Sequence, residues 1–135
     1  MNRHPWLRAY MAGVLLPTWV TLLMLASYVW LRMIAEVSFP VERAIAFPMA
    51  VVPNLWGLWN LLYVALRLSG RVSLGMFGAV LPVMLVPAGT ALAYFLELPF
   101  PTFETAVLVI PIGMAVYYLA WKYLVGFFNR VVGLA

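Results

Sequence analysis

Residues 72–96 read VSLGMFGAVLPVMLVPAGTALAYFL, twenty-five consecutive residues without a charged side chain. A helix rising 1.5 Å per residue needs about 20 residues to cross a hydrocarbon core of about 30 Å. This window is long enough alone. It does not alternate apolar and polar residues with period two, and it is twice as long as a barrel strand needs. Backbone groups in lipid must satisfy one another, so the window predicts a membrane-spanning helix.

The same reading extends outward. Charged residues divide the chain into three further uncharged windows, 9–31, 44–66 and 105–121, of 23, 23 and 17 residues. The last is short only because Lys122 interrupts it. The apolar run resumes at Tyr123, and a lysine near a helix end reaches the interface along its aliphatic stem, so this span is expected to run to about Phe128. The first apolar region is too long for the core of a cleaved signal peptide and is expected to be a retained span.

Composition agrees. Of 135 residues, 67% are hydrophobic and 9% are charged: eight Lys and Arg, four Glu, no Asp. A soluble domain carries about 25% charged residues. This chain has too little polar surface for a soluble enzyme, a secreted domain or a nucleic-acid-binding protein. Its net charge of +4 sits scattered at the ends of apolar runs. Cysteine is absent and His4 is the only histidine, so thiolate metal sites, redox pairs and most acid–base chemistry are unavailable. No metal or cofactor is expected.

Orientation follows from the basic residues of short loops. Arg3, Arg8, Arg67, Arg71, Lys122 and Arg130 fall on one side, Arg32 and Arg43 on the other. The first side is expected to be cytoplasmic, with both termini there and the Glu97–Glu104 loop outside. Arg67, Arg71, Lys122 and Arg130 would then form a basic rim against lipid headgroups. The apolar 32–43 segment is expected to lie in the interface. The loop 67–71, with Gly70 as a helix terminator, makes the second and third spans antiparallel neighbours.

Helices in lipid associate by close packing, so small residues mark their seams. Heptad-spaced small residues include Gly57 in the second span, Gly75, Ala79, Gly89 and Ala93 in the third, and Gly113 and Ala120 in the fourth. The first span has the weakest seam, through Ala9 and Gly13. A repeat near 3.5 residues predicts left-handed crossing. The expected fold is an all-α integral membrane protein. It is a single transmembrane domain of four helices, about 9–31, 44–66, 72–96 and 105–128, in a compact left-handed antiparallel bundle.

Proline occurs in every span. Pro53, Pro87 and Pro111 are expected to kink helices at related depths, each removing a backbone hydrogen bond. Nearby lie Asn54, Trp56, Asn60, Thr90 and Tyr94, the candidate lining of an uncharged pocket. The competing reading makes the amides interhelical glue.

Pumps, voltage sensors and ion-coupled carriers need ionisable groups deep in the membrane, and the four windows contain none. Walker loops, HExxH, GxSxG and CaaX patterns are also absent. The expectation is a non-catalytic accessory or structural subunit in a bacterial inner (plasma) membrane. Its partner would be a membrane protein or further copies of itself, besides the lipid bilayer. The alternative is a binding or transport module for a small apolar molecule or lipid.

Overall fold

The computed structural model describes residues 4–36, 47–67, 71–98 and 102–134, all helical elements and their ends, with no strand among them. Helix α1 spans Pro5–Met33. A wide π-turn, Phe47–Val51, leads into α2, Val52–Arg67. Then come α3, Leu74–Ala79, and α4, Leu81–Phe95. Helix α5, Phe103–Leu119, continues through a second π segment, Ala120–Val125, into α6, Gly126–Val131. These elements form four helices long and apolar enough to cross a membrane: Pro5–Met33, Pro48–Leu66, Leu74–Phe95 and Phe103–Val131. The expected turn at Gly70, residues 37–43 of the expected interfacial segment, the tail with Arg3, and the side chain of Arg67 lie outside the described residues, while Arg32 and Met33 belong to α1.

The helix ends are chemically defined. Ser73 caps α3 by accepting the Met76 N–H. Thr102 caps α5 through a reciprocal box with Thr105. The third span closes with Leu98 N–H on the Ala93 carbonyl (2.9 Å) and Glu97 N–H on that of Tyr94 (3.1 Å). This closure places Glu97 at φ 55°, a left-handed conformation that glycine adopts more easily. The fourth span closes the same way, with Gly133 at φ 73° in that position.

Prolines act unequally. The Pro82 ring would clash with the Gly78 carbonyl four residues back. The helix breaks there: α3 ends at Ala79 and α4 starts at Leu81, with Pro82 in its first turn, where no N–H is needed. Pro53 follows the first π-turn, whose wider loop gives its ring room. By contrast, α4 and α5 continue as helix through Pro87 and Pro111.

Spans pair as two hairpins. Helix α1 packs chiefly on α2, and α3 and α4 pack on α5. A Cβ placed on Gly13 would lie 2.5 Å from the Trp56 carbonyl oxygen and 3.0 Å from the Gly57 Cα, and one on Gly57 would lie 2.5 Å from Val14 Cγ2. In the second hairpin Gly75 meets Tyr118, Gly78 meets Trp121 and Gly113 meets Pro82. Gly57, Gly75, Ala79 and Ala93 are buried; Gly89, Gly113 and Ala120 are half-buried. Gly78, absent from the heptad reading, is the tightest among the described glycines: an added Cβ would stand 2.0 Å from Trp121 Cγ.

Candidate functional site

Aromatic rings join the two hairpins. Trp56, Trp59 and Tyr63 lie one turn or less apart on α2 and face the other pair. Trp59 stacks on Phe77 at 4.7 Å, and Tyr63 meets the same ring at 5.6 Å. Trp56 sets its ring edge-on to Tyr117 at 4.9 Å and tilted against Trp121 at 5.3 Å. Trp56 and Trp121 join Leu81, Leu85 and Val125 in the buried core. Close to the break before Pro82, Trp59 Nε1 donates to the Phe77 carbonyl of α3 at 2.9 Å.

Beside the seam lies a polar junction. Asn60 and Asn129 are 0% and 2% exposed. Asn60 Nδ2 donates to Asn129 Oδ1 at 2.8 Å, and Asn129 Nδ2 donates back to Asn60 Oδ1 at 3.0 Å. Asn60 Nδ2 also reaches the Ala9 carbonyl at 2.7 Å. Nearby, Arg8 donates to the Val132 carbonyl at 3.2 Å. Three spans are tied at one end by a pair of amides that satisfy each other.

The π segment aims Asn129 at this junction. Trp121, Val125 and Asn129 are all buried and recur every four residues. In a regular α-helix four residues turn about 40° past a full circle. In the wider i→i+5 turn four residues fall short of one. The step from Trp121 to Val125 crosses the π segment and the step from Val125 to Asn129 crosses α6. The two phase errors cancel, and all three side chains share a face.

The five pocket residues take different places. Asn54 is exposed, accepts from the Tyr10 hydroxyl and donates to the Ala50 carbonyl at 2.7 Å. Trp56 is in the core and Asn60 in the amide junction. Thr90 is buried and its hydroxyl donates to the Val86 carbonyl at 2.8 Å. Tyr94 is 78% exposed. The structure thus joins Trp56 to the aromatic seam and Asn60 to Asn129, and leaves Asn54 and Tyr94 on the outside. A groove of about 620 Å³ lies elsewhere, along Leu22, Leu25, Val29, Trp30 and Met33 at the far end of α1.

Two groups stand out chemically. The indole N–H groups of Trp56 and Trp121 are buried without a hydrogen-bond partner. Sequence reasoning named neither Trp121 nor Asn129. Both follow or adjoin Lys122, where the charge suggested a helix approaching its end. No protein-family model, curated protein or solved structure matches this chain.

Proposed function

We propose that this chain is a non-catalytic membrane protein that acts through helix packing, as an accessory or structural subunit of a membrane complex. The supporting observation is how its polar side chains are used. Asn60, Asn129, Asn54 and Thr90 all bond to this chain's own amides, hydroxyls or carbonyls. Among the described residues, the buried side-chain donors and acceptors without a partner are the indole N–H groups of Trp56 and Trp121. The first and fourth spans meanwhile have only 11% and 6% of their apolar windows buried inside the chain, leaving broad faces for lipid or another protein.

In this reading the helices form a left-handed bundle in a bacterial plasma membrane with both termini cytoplasmic. Arg67, Arg71, Lys122 and Arg130 then meet anionic headgroups on that side. The partner is a second membrane protein or another copy of this chain. A photo-crosslinking residue at exposed Leu23 or Ile112 tests the proposal in native membranes. A discrete protein adduct from either position, and none from buried Ala79, is the expected result. Lipid adducts alone from both would refute it.

A second reading has one observation in its favour. A small, mostly apolar molecule bearing one acceptor oxygen would satisfy the bare indole N–H of Trp56 or Trp121, each of which carries an energetic penalty unpaired. Its test is solvent extraction of the purified protein. A discrete molecule retained by the native chain and lost from Trp121→Phe would favour it over the subunit reading.

A further inference from the structure

Lys122 occupies an unusual position. It lies well inside a 29-residue apolar helix, yet its side chain is exposed. Its depth can be read from its neighbour. A Cβ on Gly75 would stand 3.2 Å from Lys122 Cβ and 2.8 Å from Tyr118 Cε2. Lys122 is therefore level with the first turn of the third span, which starts at Leu74. Arg71, also exposed, precedes that turn and lies two residues ahead of the Ser73 cap.

Two tyrosines hold the ammonium. Lys122 Nζ lies 5.5 Å from the centroid of the Tyr118 ring and 5.3 Å from that of Tyr123. Ring faces attract a cation while leaving its N–H groups free to donate. The aliphatic stem stays against apolar surface and the head is presented outward. Tyrosines also favour the depth where hydrocarbon gives way to headgroups. Two cations from different spans, a pair of flanking tyrosines and a position at the first turn of a span meet the requirements of one ligand class.

We propose that Arg71, Lys122, Tyr118 and Tyr123 form a discrete binding site for the phosphate of an anionic phospholipid. The inference rests on the basic-rim reading above and narrows it from a diffuse rim to one place. Arg130 belongs to the rim but not to this site: it lies two turns further along the chain, in α6, the element that packs on α1. It therefore serves as the control.

The test is native mass spectrometry of the full chain in detergent, titrated with an equimolar mixture of phosphatidylglycerol and phosphatidylcholine. Each cation near an anionic surface contributes about 1 kcal/mol, or about a fivefold change in occupancy. The native chain should retain phosphatidylglycerol preferentially. Lys122→Gln and Arg71→Gln should each lower that preference about fivefold. Arg130→Gln, a rim residue outside the site, should lower it by less than either, and Lys122→Arg should restore most of it. Circular dichroism of each variant checks that helix content is retained. Equal losses from all three glutamine variants would overturn the discrete site and leave the diffuse rim standing. No preference in the native chain would overturn both.

Discussion

Asn60 and Asn129 each hold the other's amide away from an apolar surrounding. Removing Asn129 strips the Asn60 Oδ1 of its partner while its Nδ2 keeps the Ala9 carbonyl, and removing Asn60 leaves both ends of the buried Asn129 amide without the other, each at a penalty of about 1–3 kcal/mol. Asn129→Leu and Asn60→Leu should therefore each lower the thermal midpoint in detergent. The double variant should cost less than the sum, because no orphaned amide remains; strict additivity would show that the pair is uncoupled. Glu97 offers the opposite sign. It holds a left-handed φ of 55° where the equivalent closure of the fourth span uses Gly133. Glu97→Gly should relieve about 1 kcal/mol of backbone strain and raise the midpoint by several degrees. At Gly78 even one methyl meets the Trp121 ring. Gly78→Ala should lower the yield of folded protein sharply, whereas alanine at half-buried Gly89 should have a smaller effect.

The element scale separates what sequence can reveal from what it cannot. Four apolar helices were legible because charge spacing marks hydrophobic length directly. Gly57 and Gly75 each lie where two helices touch. Asn129 was not legible. Counting 3.6 residues per turn from Trp121 carries it off the buried face, and only the π segment brings it back. The effect of Pro82 was similarly hidden: six span-bound prolines look alike in sequence, while the break between α3 and α4 falls at Pro82 and α4 and α5 run on through Pro87 and Pro111.

The π segment makes its own prediction. It adds one residue to an otherwise α-helical span, so deleting exposed Tyr123 converts it to an α-helix and leaves Asn129 seven positions after Trp121. Seven residues return to nearly the same face, within about 20°. This deletion should retain folded protein and the Asn60–Asn129 coupling. Deleting exposed Val116 within α5 instead rotates everything beyond it by about 100° and should abolish folding. Equal tolerance of both deletions, read by gel filtration, would contradict a positional role for the π segment.

On the scale of the whole molecule, the two helix pairs are joined by rings and amides. Trp59 carries both a stacking contact and an indole hydrogen bond across the junction. Trp59→Leu should weaken hairpin association more than Trp19→Leu, a change on the exposed face of α1. The natural absence of cysteine makes topology accessible as well. A single cysteine at Leu98 should react with an impermeant maleimide from outside the cell, and one at Leu134 should react only after the membrane is opened. The reverse pattern would invert the orientation.

The most direct test of a role exerted through helix packing is native mass spectrometry of the tagged chain, extracted gently from its own membrane. A complex of fixed stoichiometry, with a second membrane polypeptide or with further copies of this chain, is the predicted result. A lone monomer carrying one discrete apolar molecule would contradict it and turn attention to the bare indoles of Trp56 and Trp121.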